Sequence, residues 1–554
     1  MNPHASSGPS LLLRRLRPAL LLVPLVVAPP AASAYQAGYA YDDAGRLLQA
    51  DYGGGQQIDY VYDANGNLLV RSAVSTNGAG PFIRYVRPES PTPAAPFLSL
   101  ETAGHDIQSV VDACDTGDVV KVFPGIYATG GRAAPGSVTT NRVYAANAIR
   151  IESMEGPGNT IIVGASDAGE AGPSAVRCVH LAPGSVLAGF TLTNGATQAV
   201  GGDDGSGGGA VAIGSVVTNC VVADCIAQMV GGGIQGGIVY NSVLFGNYAL
   251  FGGGAVDAEL HACILYDNGA QGGAAANNCD LINGLLFHNG ATLSAGGAQG
   301  GTLVNCTVVA NQTAEGGGGG VNMSTLLNCI VVDNVPENCI DVSNVHYSCT
   351  APLPVAGIGN LDATPGFVDA AADNYRLAYG SPCLDAGSDQ AGAPDRDLDG
   401  RPRPLDGNWD LAAVRDMGAY EYDPDVADSN GDGVPDSWYH RHGLNAASPT
   451  IGGEHGDDDP FTNADEYAAD TDPTNAASFF RILDIDPGPP AVVTFDPGSA
   501  ARLYTFQFTE DLLAGGWSNV PGTVPRRGAG GIDSMQDAGT LPARSLYRLQ
   551  VEVP

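Results

Sequence analysis

The sequence predicts a mainly β chain: a parallel β-helix solenoid, then an acidic segment with calcium-type loops, then a small β-sandwich-like domain. Three observations predict the solenoid. Short apolar segments recur with a period near 22 residues from about residue 185, their turns are rich in Gly, and Asn closes most repeats. The trailing asparagines, spaced 21, 21, 22 and 23 residues apart, are Asn247, Asn268, Asn289, Asn311 and Asn334.

The composition excludes some classes of function. The chain has 554 residues, of which 77 are Gly and 37 are Pro, and its formal net charge is −35. A protein this acidic repels phosphate backbones, so nucleic acid is excluded as a main partner. Hydrophobic residues make up 44 % of the chain, which is sufficient for packed cores, and the length predicts several domains.

The first 34 residues carry the pattern of a signal peptide. Three arginines up to Arg17 precede a short apolar stretch, Pro18 to Ala28, and a small-residue cleavage pattern ends at Ala34. The alternative is a membrane anchor, but a span needs about 20 apolar residues and this stretch is shorter. We therefore expect export with residues 1–34 removed, and no membrane span in the mature chain.

Residues 35–85 contain a short tandem pattern. The segment from Tyr41 to Leu48 recurs, with changes, as Tyr62 to Leu69, and each unit places a Gly-containing turn before an apolar pair. The pattern resembles the YD repeats of the Rhs family, which build β-hairpin shells in secreted proteins. The resemblance implies a β-hairpin segment over residues 35–85, and the prolines that follow predict a linker over residues 86–96.

The repeat array predicts how neighbouring coils contact each other. Stacked coils place equivalent residues about 4.8 Å apart, so the asparagine side chains can form a ladder of hydrogen bonds. A small residue fits the crowded inward position at 220, 242, 263, 284, 306 and 329. Apolar residues from Ile107 to Cys114 follow helical spacing and predict a helix that caps the first coil.

The far end of the array carries three further motifs. Ser381 to Gly387, Asp397 to Arg403 and Asp416 to Tyr422 resemble the closing segment of right-handed β-helix proteins of the choice-of-anchor group. That group comprises large secreted proteins of environmental bacteria. The resemblance implies a right-handed parallel β-helix over residues 97–422 and a secreted or bacterial cell-surface location.

The basic residues bear on whether the β-helix is an enzyme. Many parallel β-helices are polysaccharide lyases or hydrolases that use Arg or Lys, yet the 198 residues between Arg177 and Arg376 contain neither. The sequence therefore predicts a non-catalytic exported protein, with no catalytic residue, that acts in adhesion or glycan binding. Its expected partners are extracellular polysaccharides or cell-surface components.

The alternative is a polysaccharide lyase or glycoside hydrolase with its site near the C-terminal coils. Basic and acidic residues are interspersed there, as such a site requires. These residues are Arg376, Arg396, Arg401, Arg403, Asp395, Asp397 and Asp399.

All 11 cysteines lie between Cys114 and Cys383. Export permits disulfides, and Cys339 with Cys349 is a plausible loop disulfide. Cys306 and Cys329 are expected on neighbouring coils, either as a buried thiol ladder or as a bridge. The ladder is favoured because other repeats have small residues other than Cys at that position.

The acidic segment, residues 423–478, contains two patterns typical of calcium loops. The first begins at Asp428 and places oxygen ligands at positions 1, 3, 5, 7 and 9, with Gly at position 6 but Tyr439 at position 12. The second, degenerate copy begins at His455. The alternative for both is an acidic solvated linker. The predicted calcium ligands are Asp428, Asn430, Asp432, Val434 through its carbonyl, Asp436, Asp457, Asp459, Asn463 and Glu466.

These loops resemble those of dockerins or thrombospondin type 3 repeats, which implies calcium as the cofactor. Beyond them, residues 479–554 predict a small β domain. Leu503 to Phe508 alternates apolar and polar positions, as a half-exposed strand does, and the closing residues add another apolar segment.

Overall fold

The computed structural model describes residues 38–41, 46–51, 56–62, 68–75, 81–198, 201–389, 394–488, 490–511, 516–537 and 545–554. The predicted signal peptide and the turns of both YD units lie outside these residues. Four antiparallel strands form a sheet in the YD region: Gly38–Tyr41, Leu47–Asp51, Gln56–Tyr62 and Leu68–Ser75. No helix among the described residues is long and apolar enough to span a membrane.

The described residues contain three long sheets that form the faces of a right-handed parallel β-helix, as predicted. Sheet 1 contains Ile83–Val86, Val119–Val122, Arg150–Ser153, Val186–Ala188, Val216–Thr218, Ile238–Tyr240, Glu259–His261, Asp280–Ile282, Thr302–Val304, Thr325–Leu327 and Asn344–His346. Sheet 2 contains Gly125–Tyr127, Thr160–Val163, Thr191–Thr193, Val221–Ala223, Val243–Phe245, Ile264–Tyr266, Leu285–Phe287, Thr307–Val309, Ile330–Val332 and Cys349–Thr350.

Most strands of sheet 3 are only two residues long. The strands of this sheet are Arg132–Ala133, Thr140–Tyr144, Val176–His180, Ala210–Val211, Ile234–Gln235, Ala255–Val256, Ala276–Asn277, Ala298–Gln299, Val321–Asn322 and Cys339–Ile340. The turns from sheet 2 to sheet 3 add a small parallel sheet of Gly269–Gly272, Gly290–Ser294 and Gln312–Thr313. These turns are the longest of each coil, so they project beside the outer face of sheet 3.

The interior of the β-helix is formed by inward-facing apolar side chains and by the asparagine ladder. Leu244, Leu265 and Leu286 occupy equivalent inward positions and are fully buried, because alternate residues of a strand face opposite sides. Each ladder side chain donates to the next coil, for example Asn268 Nδ2 to Asn289 Oδ1 at 3.0 Å. The predicted ladder is thereby confirmed from Asn247 to Asn334.

The first strand of the β-helix lies upstream of residue 97, where the sequence places its start. Ile83–Val86 pairs in parallel with Val119–Val122, and Val86 is fully buried. The predicted linker also packs here, since the N–H of Arg87 donates to Gly104 O at 2.8 Å. Helix α1, Ile107–Val111, contacts Ile83–Val86 at this end, where the sequence predicts a cap.

The closing segment, residues 367–389 and 394–422, does not stack as further coils. It begins with an antiparallel hairpin, Phe367–Asp369 and Asn374–Leu377, and then lies against the outer face of sheet 2. Outward residues of that face, such as Val309 and Ile330, are buried beneath Met417 and its neighbours. Apolar side chains on successive coils would otherwise face water, so the segment covers them laterally.

The cysteines are free thiols. Cys306 and Cys329 lie on neighbouring coils, fully buried, with their thiols in contact, as the predicted ladder requires. The suggested Cys339–Cys349 disulfide is absent. Cys339 Sγ lies 3.5 Å from Thr350 Oγ1, whereas Cys349 donates to Ala363 O at 3.2 Å, so the two thiols are directed to different neighbours.

The acidic segment forms two short helices, α2 (Asp436–Arg441) and α3 (Asn463–Ala469), around a small core that includes Trp438 and Tyr439. The C-terminal domain has two antiparallel sheets that share one core, with the Phe495 and Tyr504 rings 4.8 Å apart. The sandwich-like prediction is confirmed. Its strands are Arg481–Asp486, Val492–Asp496, Leu503–Thr509, Ser518–Asn519, Arg526–Arg527, Asp533–Gln536 and Leu546–Glu552.

Candidate metal centre

Three predicted ligands of the second calcium-type loop converge. Carboxylate oxygens of Asp457, Asp459 and Glu466 all lie within 4.8 Å of one another. The loop before α3 carries the two aspartates, and the first turn of α3 carries the glutamate. Among the residues that the structure describes, this trio is the one cluster of His, Cys, Asp or Glu side chains with metal-ligand spacing.

In each carboxylate of the trio, one oxygen accepts a hydrogen bond from the protein and the other is left for a ligand. Asp457 Oδ1 accepts the N–H of Asp459 at 2.9 Å, and Asp459 Oδ1 accepts the N–H of Phe461 at 2.8 Å. Glu466 Oε1 accepts from Thr471 Oγ1 at 3.1 Å. The second oxygen of each carboxylate is buried and has no hydrogen-bond partner.

Three unpartnered carboxylate oxygens are costly to hold together without a cation. Glu466 is only 1 % exposed, and burial, followed by the charges of Asp459 and Asp457, raises its pKa to about 7. A hard divalent cation such as calcium binds several carboxylate oxygens and removes this repulsion. The donor set therefore fits calcium, which Asp457, Asp459 and Glu466 would hold.

Asn463, the fourth predicted ligand of this loop, has a different role. Its side chain is fully buried, donates to Ile451 O at 2.7 Å and accepts the N–H of Gly456 at 3.0 Å. It therefore ties the two ends of the loop together. Thr462 and Asp465 form a capping box that fixes the start of α3, and with it Glu466.

The first calcium-type loop is closed by its own hydrogen bonds. Asp428 accepts backbone N–H groups of Gly431 and Gly433, each at 2.8 Å. Asp432 accepts the N–H of Val434 with one oxygen, and the other accepts from Asn430 Nδ2 at 2.9 Å. Val434 is almost fully buried in the small core of this segment.

Asp436, the last predicted ligand of the first loop, joins the acidic segment to the closing segment. Its Oδ2 accepts hydrogen bonds from the hydroxyls of Tyr422 and Ser429, both at 2.6 Å. The residue is fully buried at the start of α2, and burial raises its pKa. Its carboxylate is therefore occupied by the neighbouring hydroxyls.

The charged residues of the alternative enzyme site are mostly paired with one another. Arg376 forms two 2.6 Å hydrogen bonds with Asp399. Arg403 is buried against Glu421, with Nε 3.2 Å from Oε2. The other members diverge: the Asp397 side chain accepts the N–H groups of Arg401 and Glu421, while that of Asp395 is 97 % exposed.

A small cavity of about 160 Å³ lies between the closing segment and the first loop. Arg376, Arg401, Asp428 and Ser429 are among its lining residues. Glu421 also lines it, and burial raises the pKa of Glu421 to about 7, but both of its carboxylate oxygens accept backbone N–H groups. That carboxylate is therefore held by Leu405 and Asp416, with its charge opposite Arg403.

Sequence reasoning missed two contributions to these loops. Thr471, which orients Glu466, lies beyond the last position of the loop pattern, and no spacing rule points to it. In the loop pattern Tyr439 is only a departure at position 12, whereas in the structure its hydroxyl donates to Asp432. A phenol at the position of an expected carboxylate was the signal that could have indicated a closed loop.

No protein-family model matches the chain, and no curated protein matches it. Among solved structures, the chain is similar to "Crystal structure of pectate lyase Pel9A", with 14 % identity over 62 % of this chain and 97 % of that chain and a TM-score of 0.37. It is also similar to a rhamnogalacturonan lyase, with 13 % identity, 49 % and 68 % coverage and a TM-score of 0.27. A pectin methylesterase from carrot gives 11 % identity, 46 % and 78 % coverage and a TM-score of 0.26. Nothing about activity follows from likenesses at this level.

Proposed function

We propose that this chain is an exported, non-catalytic extracellular protein that binds polysaccharide along its β-helix and uses calcium to order its acidic segment. One observation carries the non-catalytic part. The arginines and aspartates of the closing segment mostly pair with each other. Arg376 and Arg401 line one small cavity, but Arg376 is paired with Asp399, and the carboxylates that line the cavity already accept backbone N–H groups. The central coils contain no Lys or Arg at all.

The surface of the β-helix supports the binding part of the proposal. Outward aromatic rings stack on neighbouring coils of sheet 2, with the Phe245 and Tyr266 centroids 4.9 Å apart. Tyr248 and Phe251 are exposed beside the neighbouring turns. Aromatic rings next to polar groups are suited to sugars, which present apolar faces and hydroxyl edges.

The calcium trio supports the remaining part of the proposal. The trio lies next to α3, whose last turn contacts the C-terminal domain, because Arg502 Nε donates to Ala468 O at 3.0 Å. A cation that fixes Glu466 therefore also fixes the start of the helix that carries this contact. We propose that calcium makes this junction rigid, and that the export pattern in residues 1–34 delivers the chain to a calcium-containing environment.

The experiment that tests this function uses the chain without residues 1–34. Native electrophoresis through gels containing uncharged or acidic polysaccharides measures binding, and an assay for new reducing ends and unsaturated products measures cleavage. We expect retardation in at least one gel and no cleavage with or without calcium. Sustained product formation that is lost in Arg376→Ala would replace this proposal with the enzyme alternative.

A further inference from the structure

The outer face of sheet 3 carries a column of five side chains, four of which are amides, called the amide column below. Pairing between coils places Gln235, Val256, Asn277, Gln299 and Asn322 at equivalent positions. Their strand neighbours, such as Ile234 and Ala298, are fully buried inward, so the column faces outward. Five coils at about 4.8 Å give the column a length of roughly 19 Å.

Two of these amides lack the partners that buried polar groups normally have. Gln235 Oε1 and Asn322 Oδ1 are buried and accept no hydrogen bond. The whole Asn322 side chain is also buried, since the residue is only 6 % exposed. Between them, Asn277 Nδ2 lies 3.4 Å from Gln299 Oε1, a long and weak contact. Because an unpartnered buried carbonyl is costly, these amides are suited to a ligand that brings donors and acceptors.

An exposed aromatic ring lies beside the middle of this column. A Cβ built on Gly272 would lie 2.6 Å from Gln299 Oε1 and 3.3 Å from Phe251 Cδ1, so the amide and the ring flank this glycine. Ser294 Oγ, at 2.9 Å from the same point, donates to Gln299 Oε1 at 2.8 Å. The phenyl ring of Phe251 is 38 % exposed, and the amide packs so closely on the glycine that a methyl group there would displace it.

The charges around the column select against an anionic ligand. The coils from residue 178 to 375 contain 14 Asp or Glu and no Lys or Arg. A polymer of uronate or sulfated sugars would meet repulsion without a single cationic side chain to offset it. An uncharged sugar polymer meets amides, a hydroxyl and an aromatic ring, which together match its hydroxyl groups and its apolar faces.

We propose that the amide column of sheet 3, together with Phe251, is the site at which this protein binds its polysaccharide, and that this polysaccharide is uncharged. The proposal rests on the polysaccharide-binding function above and adds to it a location and a ligand class. The polymer lies along the helix axis, its hydroxyls hydrogen-bond to the half-buried amides of Gln235, Asn277 and Gln299, and one sugar ring packs on Phe251.

The test measures retardation of the chain without residues 1–34 in native gels that contain galactomannan, xyloglucan, dextran or polygalacturonate. Three variants alter the site: Phe251→Ala, Gln299→Ala and Gly272→Ala, the last of which displaces the amide of Gln299. Tyr240→Ala removes a half-buried ring from the outer face of sheet 1 and is the matched control. Circular dichroism establishes that each variant is folded.

We expect at least one uncharged polymer to retard the protein, and each site variant to weaken that binding by roughly tenfold while the control does not. Binding of an uncharged polymer that all three site variants retain, or that the control loses, overturns the site and leaves the proposed function in place. Retardation by polygalacturonate alone overturns the ligand class. Absence of retardation in every gel overturns the proposed function itself, and this inference with it.

Discussion

The phenolic hydroxyl of Tyr439 donates a hydrogen bond to Asp432 Oδ2 at 2.6 Å. In a calcium loop of the EF-hand type, position 12 supplies a bidentate glutamate, and here a neutral donor occupies that position. The carboxylates of the first loop accept hydrogen bonds from Tyr439, from Ser429 and from backbone N–H groups. The second loop, in contrast, directs three unpartnered carboxylate oxygens at one point.

Calcium is therefore expected to bind with a stoichiometry near one, at the second loop. Glu466→Gln removes a buried ligand and should abolish the calcium-dependent rise in melting temperature. At a free calcium concentration 100 times the dissociation constant, that rise corresponds to about 2.7 kcal/mol in the free energy of unfolding. Calorimetric titration gives the stoichiometry, and melting with calcium or chelator gives the stabilisation.

Asp428→Asn is the matched control for this prediction, because it makes the same kind of change in the first loop. We expect it to lower the stability of the protein while leaving the calcium increment unchanged. A calcium increment that survives Glu466→Gln but is lost in Asp428→Asn would assign the ion to the first loop.

The asparagine ladder should be a main source of stability. Asn289 is fully buried, accepts the N–H of Asn268 and donates to Leu265 O. Asn289→Ala leaves both backbone groups without partners, so we expect a loss of about 2–4 kcal/mol in the free energy of unfolding, measured with urea. Asn344→Ala, which truncates an exposed side chain in the last strand of sheet 1, is the control and should cost under about 0.5 kcal/mol.

Stability should fall as pH rises through neutrality, because of a buried cluster in the closing segment. Asp397, Asp416 and Glu421 share the buried guanidinium of Arg403, and Arg415 lies at its edge. Burial raises the pKa of all three carboxyls, that of Glu421 to about 7, so the folded state retains protons that the unfolded state releases. The stabilisation from Glu421 is therefore complete below pH about 4.5 and is lost as pH rises through about 7.

Melting temperatures between pH 5 and 8, measured in chelator, test this dependence. The slope expected from one such group is at most about 1.4 kcal/mol per pH unit. Glu421→Gln cannot ionise and should reduce the slope, leaving the part that Glu466, whose pKa is also raised to about 7, contributes in chelator. An unchanged slope in this variant would show that other groups control the pH dependence.

The sequence predicted features that repeat, and it did not predict contacts between distant segments. Asn268 and Asn289 stack because identical residues recur 21 positions apart, so the period alone places them together. The contact of Asn283 Nδ2 with Arg396 O spans 113 positions, and no periodic pattern carries it. The trio of Asp457, Asp459 and Glu466 was predicted because its residues are close in sequence and their spacing is that of a calcium loop. The position of the closing segment against the outer face of sheet 2 depends on contacts between distant segments, so the sequence did not predict it.

The strand Ile83–Val86 is also a long-range feature, and one buried carboxylate holds it. Asp118 is fully buried, lies 2.8 Å from Arg84 Nη2 and accepts the N–H of Phe82 at 2.6 Å. Asp118→Asn leaves the buried Arg84 without a counter-charge, so we expect a loss of about 3–5 kcal/mol in the free energy of unfolding. Asp112→Asn, which breaks an exposed ion pair with Arg132, is the control and should cost no more than about 1 kcal/mol. Urea denaturation of both variants measures the difference, and equal losses would mean that the first strand contributes little to the stability of the β-helix.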